Sequence, residues 1–126
     1  MSHTSRTALS WAAATALAVL ATGCAQQPKP LYHWGAYQDQ VYAYFKNADA
    51  DYEAQIIALE ADTQKARAAG AVVPPGFHAH LGMLYAQIGK DDQVREQFET
   101  EKTLFPESAT FMDFLTRKYA DQGATK

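Results

Sequence analysis

From residue 31 onward, apolar residues recur at helical spacing, and no segment alternates apolar and polar long enough to make a convincing strand. After Leu31-Tyr32-His33-Trp34-Gly35, one helical face collects Tyr37, Val41, Tyr44 and Phe45. The run Lys46-Asn47-Ala48-Asp49 breaks that helix, with Asp49 expected as N-cap of the next. From about residue 50 to 69, Tyr52, Ile56, Leu59, Thr63 and Ala66 form a stripe. Asp51 and Glu53 lie in its first turn and Lys65 and Arg67 in its last, matching the helix dipole, and Gly70 is the stop. The linker 71–76 ends in Pro-Pro-Gly, and Pro75 suits the first turn of a third helix through Phe77, Leu81, Leu84, Tyr85 and Ile88, closed by Gly89. Asp91 or Asp92 is expected to cap a fourth helix with the stripe Val94, Phe98, Glu101 and Leu104/Phe105, stopped by Pro106. Ser108 is expected to cap a short fifth helix carrying Phe111, Met112, Phe114, Leu115 and Tyr119, with a frayed, flexible tail over 121–126. The expectation is an all-α fold of two antiparallel helix pairs and a closing helix.

The first residues follow a different rule. Arg6 and the amino terminus precede an apolar stretch at 8–21, and no acidic residue occurs before Asp39. A stretch of roughly 14 residues is short for a bilayer span of about 20, so a secretory leader over 1–23 is the expectation. It ends in Leu20-Ala21-Thr22-Gly23-Cys24, which resembles the lipobox of bacterial lipoproteins, although Ala21 stands where Leu is usual. That resemblance implies a diacylglyceryl group on the sulfur of Cys24, cleavage after Gly23, and a tether over 24–30. It also accounts for a single cysteine in an exported chain, where no intramolecular disulfide is open to it. Ala25, rather than Asp, follows Cys24. By resemblance to the enterobacterial sorting rule this implies the outer membrane, with the periplasmic face favoured over the surface.

Composition narrows the classes further. The 126 residues leave room for one domain, placed at 31–120, and 20% charged with 48% hydrophobic residues is ordinary for a globular chain. A formal net charge of -3 without a Lys/Arg cluster argues against nucleic acid as a partner.

Between Pro75 and Ser108 the chain resembles one tetratricopeptide repeat. Leu81-Gly82 and Tyr85 match the first-helix core, Gly89 the turn, Phe98 the second helix, and Pro106 the closing proline. Val94, Glu101 and His78 depart from the pattern. Gly82 would admit a close approach of the paired helix, and Leu81 and Tyr85 would fill the crossing. Residues 36–70 do not align as a second proper repeat. The positions that line a peptide groove in larger arrays are here Ala79, Met83 and Ala86, which either form such a groove or pack against the second helix.

Few residues suggest chemistry. His78 and His80 are two apart, so on a helix they point about 200° apart and cannot share a metal. Asp91-Asp92 lacks the ligand spacing of a calcium loop. Glu96, Glu99 and Glu101 alternate with Arg95 and Lys102 and read as a solvated mixed-charge face. His33 beside Trp34 suits an aromatic plug over the first helix pair. Cys24 is claimed by lipid, which leaves no nucleophile with a matching base. No enzyme, cofactor or metal site is expected. The aromatic set Tyr32, Trp34, Tyr37, Tyr42, Tyr44 and Phe45 is denser than one short buried face needs, so it either packs the core or supplies a partner surface.

Three stretches resemble a family of small proteobacterial outer-membrane lipoproteins: Leu31-Tyr32-His33-Trp34-Gly35-Ala36-Tyr37, then Val73-Pro74-Pro75-Gly76 with Ala79-His80-Leu81-Gly82, and Leu104-Phe105-Pro106-Glu107-Ser108 with Phe111-Met112-Asp113-Phe114-Leu115. The resemblance implies a lipoprotein often encoded beside one similar to the curli secretion channel, and no activity. The expected function is therefore a non-catalytic accessory module. It would be held to the membrane through Cys24 and joined to another envelope lipoprotein. A factor that binds peptidoglycan or modifies the cell wall is the alternative.

Overall fold

The computed structural model describes residues 30–46 and 51–123. Within them lie five α-helices and no strand: α1 Tyr37–Lys46, α2 Tyr52–Ala68, α3 Phe77–Gln87, α4 Asp91–Leu104 and α5 Ala109–Gly123. A short 3-10 turn, Pro106–Ser108, joins the last two. Each of α2 to α5 packs on its neighbour in sequence, with α3 and α4 the most closely joined pair. The leader at 1–23, Cys24, the tether to Lys29 and the expected cap Asp49 lie outside the described residues.

Local chemistry explains most boundaries. Asp51 is the observed N-cap of α2, its side chain accepting the Ala54 N–H at 2.9 Å. At the other end, Gly70 N–H donates to Arg67 O (3.1 Å) and Ala71 N–H to Ala66 O (2.9 Å). The end of α3 repeats this pair of bonds, Gly89 to Ala86 O (3.3 Å) and Lys90 to Tyr85 O (3.0 Å). Both are the doubly bonded C-cap that a left-handed residue makes possible. The turn Ile88–Lys90 is thus tight enough to lay α4 antiparallel against α3.

Several expected boundaries are corrected. Pro75 lies outside the first turn of α3. It occupies the second position of a turn closed by Phe77 N–H to Pro74 O (3.1 Å), and Gly76, at φ 88°, is the N-cap. That φ, ψ pair is the third position of a type II turn, which favours glycine. Asp91 and Asp92 sit inside the first turn of α4, after the N-cap Lys90. The Ser108 hydroxyl donates to Phe105 O at 2.7 Å instead of accepting from α5. Helix α5 continues through Asp121 to Gly123.

The core runs through the middle of this array. Leu59, Phe77, Leu84 and Phe98 are fully enclosed, and Ile56, Ala66, Leu81, Tyr85, Val94, Met112 and Leu115 surround them. The predicted α2 stripe is the packed face, with Tyr52 and Thr63 half-buried at its margins. Gly82 brings α3 and α4 together: a Cβ there would stand 2.5 Å from Phe98 Cε1. Leu81, Gly82, Tyr85 and Phe98 are all buried at this crossing, whereas Pro106 is exposed and only stops α4. Ala79 is buried, and Met83 and Ala86 pack partly buried against the core, so these three positions belong to packing.

Candidate interaction surface

Two carboxylates organise the ends of the hairpins. Neither α1 nor α3 is preceded by a residue able to cap it with its own side chain, since Trp34-Gly35-Ala36 and Pro74-Pro75-Gly76 stand there. Each takes its acceptor from the next helix. Ala36 N–H donates to Asp62 Oδ2 at 2.6 Å, and Gly76 N–H donates to Glu101 Oε1 at 2.7 Å. Glu101 Oε2 also accepts from His78 N–H (3.1 Å) and Ala79 N–H (3.4 Å). Glu101, expected on the solvated face of α4, is therefore buried, 1% exposed. The orphan N–H groups at the start of α3 hold it there.

The two hairpins share this device position by position. Tyr37 and Phe77, which begin α1 and α3, each follow the residue whose N–H is capped. Trp34 O accepts from Tyr37 N–H at 3.0 Å, as Pro74 O accepts from Phe77. The segments leading into the two helices lie side by side, Tyr32 bridging Val72 in parallel and His33 N–H donating to Val72 O at 2.8 Å. The first hairpin is a structural counterpart of the second, although no repeat aligns in the sequence.

Asp62 is the more elaborately held of the pair. Its carboxylate also accepts from Lys65 Nζ at 2.9 Å, and His33 Nε2 stands 3.9 Å away. Burial works against its ionised form, but the Ala36 N–H, Lys65 and His33 together outweigh it and hold the carboxyl below its ordinary range. Gly35, at φ 46°, passes so close that a Cβ would stand 2.1 Å from Asp62 Oδ2.

The histidines of α3 serve packing. His78 Nδ1 pairs with Gln97 Oε1 at 2.7 Å. His80 is 2% exposed and enclosed by the rings of Tyr37 and Tyr44, with centroids 6.1 and 5.3 Å away. Burial pushes its imidazole down to about 4, against a hydrogen bond that the ring donates to the Gln40 backbone oxygen, which acts the other way. The Tyr85 hydroxyl donates to Glu60 Oε1, and burial with that carboxylate pushes the phenol up. Glu99 stays on the solvated side, where Lys102 bridges it at 3.0 Å to Asp113 of α5 at 2.8 Å. Among the described residues, no group of three or more His, Cys, Asp and Glu could hold a metal. No described helix is long and apolar enough to cross a membrane.

The structure divides the aromatic set. Tyr37 and Tyr44 turn inward, Tyr37 lying 5.3 Å from the Phe77 ring and Tyr44 6.0 Å from Tyr52. Tyr32 is half-buried between Trp34 and Phe105, at 6.4 and 6.2 Å. Trp34, beside His33, stacks on Tyr37 at 6.4 Å yet remains 45% exposed. Tyr42 and Phe45 point outward from α1 at 64% and 76% exposure, and Lys46 Nζ stands 5.7 Å over the Tyr42 ring. Phe111 and Phe114 form a second exposed pair, stacked 6.3 Å apart on α5. The α5 pair lies on the predicted stripe of that helix, whose buried members are Met112 and Leu115.

These observations define an all-α protein built from stacked helical hairpins, with two buried carboxylates as cross-hairpin caps and exposed aromatic rings on α1. The chain belongs to the family described as Domain of unknown function (DUF4810), which matches residues 31–115. No curated protein and no solved structure matches it.

Proposed function

We propose that this protein is a non-catalytic accessory module of the outer membrane, lipidated at Cys24, that joins another envelope lipoprotein. The partner in this reading is similar to the curli secretion channel. The observation that carries it is the exposed Tyr42 and Phe45 pair on α1, large rings left in water on a helix whose opposite face already meets the core through Tyr37 and Tyr44. Rings of this kind are favoured interface anchors, because they bury much area for little conformational entropy. Supporting it, the buried Asp62 and Glu101 carboxylates are occupied by backbone N–H groups, a structural employment. The lipobox-like Leu20-Ala21-Thr22-Gly23-Cys24 supports the anchor.

The test is crosslinking of the tagged full-length protein in its own membrane, followed by mass spectrometry, beside Cys24→Ser and a Tyr42→Ala/Phe45→Ala double variant. The expected result is one envelope lipoprotein, lost in both variants while the protein itself remains folded. Recovery of wall-linked proteins alone, unchanged by the double variant, would overturn this reading and favour a peptidoglycan-binding role.

A further inference from the structure

The helix ends are sorted in space. The starts of α1 and α3 and the ends of α2 and α4 gather at one end of the array, because the lead-in segments 31–36 and 72–76 pair there and Tyr32 reaches Phe105. The turn Ile88–Lys90 lies at the other end, one length of α3 away, about 16 Å for its 11 residues. The first end is unusually apolar for a surface formed by loops. Leu31 is 77% exposed, Trp34 and Val72 45% each, and Leu104 42%. Val72 and Leu104 line one shallow groove of about 180 Å³ together with the exposed Arg67. The opposite end carries the exposed charges Lys90, Asp91, Asp92 and Arg95, with Arg95 paired to Asp92.

We infer that the Leu31, Trp34, Val72 and Leu104 end of the domain docks into the lipid interface of the membrane that holds its anchor. This rests on the reading of Cys24 as lipidated. Only residues 25–30 separate that cysteine from Leu31, and six residues reach no more than ~20 Å even fully extended. The apolar end is therefore the part of the domain delivered to the bilayer, and the charged turn of Lys90, Asp91, Asp92 and Arg95 faces away from it. A tryptophan, a leucine and a long cation at one edge match interfacial chemistry: the indole sits at headgroup depth, aliphatic groups enter the acyl boundary, and Arg67 can reach lipid phosphates. The acyl chains already hold the protein, so this contact sets orientation, and it leaves Tyr42 and Phe45 of α1 for a protein partner.

Cleavage after Gly23 would leave Trp34 as the sole tryptophan of the mature chain, since the only other is Trp11. The experiment uses the mature lipoprotein purified from membranes, its acylation read by intact mass. It is reconstituted into phosphatidylethanolamine/phosphatidylglycerol vesicles carrying a spin label high on the acyl chain. The comparison is a Trp34→Phe, Lys90→Trp variant that moves the reporter to the far end. Trp34 fluorescence should fall roughly twofold or more at interfacial depth, while a reporter at position 90 keeps its intensity. An acylated chain with Trp34 unquenched, or with both reporters quenched alike, overturns the docking end and leaves the anchor standing. An unmodified Cys24 overturns the anchor and this inference together.

Discussion

Replacing Glu101 by alanine would leave the N–H groups of Gly76, His78 and Ala79 without their acceptor, the last two of them buried. Unsatisfied buried donors cost about 1–3 kcal/mol each before any relaxation, so Glu101→Ala should lower stability by about 2–4 kcal/mol. Glu101→Gln, which keeps one carbonyl acceptor, should retain part of that. Urea midpoints measure both, and an alanine variant within about 0.5 kcal/mol of the parent would show the cap to be dispensable. Acid should erode stability in two separable steps of pH. His80, down at about 4 when folded against 6.5 when unfolded, binds its proton more weakly in the native state. Its contribution is complete above about pH 6.5 and declines as pH falls toward and through 4, by roughly 3 kcal/mol in all. Asp62 is depressed below its ordinary 3.8, so its share is complete above that value and is lost only as pH falls through the folded pKa. Urea titrations at several pH values should therefore show a slope between 6.5 and 4 that His80→Leu abolishes. A slope unchanged in that variant would assign the upper step to another group.

At the scale of the elements, helix class and order were legible because the apolar stripes have a helical period and glycines mark their ends. The starts of α1 and α3 were not, for one physical reason. A cap is usually sought in the residue just before the helix, and here the acceptor arrives from 25 or 26 residues downstream. Glu101 did fall on the apolar stripe of α4, as Asp62 falls between Leu59 and Ala66 on that of α2. A carboxylate on a buried stripe, facing a helix start without a capping side chain, was the available signal. The aromatic set was legible as a cluster, but its division into inward and outward rings depends on how α1 lies over α3. The α3–α4 crossing, in contrast, follows from sequence through Gly82. Gly82→Ala should push a methyl into the Phe98 ring and cost about 1–3 kcal/mol in stability. Phe98→Leu in the same chain should recover part of that loss, since the ring edge is what the methyl meets. If the double variant is as unstable as the sum of the two singles, the close approach is not the cause.

The whole molecule has a gradient of burial, and with it a gradient of stability. Helix α3 has eight buried residues, Phe77 to Leu81 among them, whereas α1 has none. What holds α1 is a few specific attachments: the Ala36 to Asp62 hydrogen bond, the His33 to Val72 bond, and the Tyr37 and Tyr44 rings laid over His80 and Phe77. In a stack of hairpins each unit contacts mainly its neighbours, so an end unit can open while the centre persists. Hydrogen exchange followed by mass spectrometry on the full-length protein should therefore find α3 and α4 most protected and α1 least. Asp62→Ala removes the acceptor at the start of α1 while leaving the Glu101 cap of α3 intact. It should raise exchange across Tyr37–Lys46 by an order of magnitude or more, since about 1.4 kcal/mol of local opening energy is tenfold in rate, with little change in Phe77–Gln87. Equal acceleration in both segments would show instead that the two hairpins open as one cooperative unit. The rings on α1 would then be presented by a surface as firm as the core itself. Selective loosening would make the outward Tyr42 and Phe45 part of an adjustable flap, which a partner tightens by packing against it.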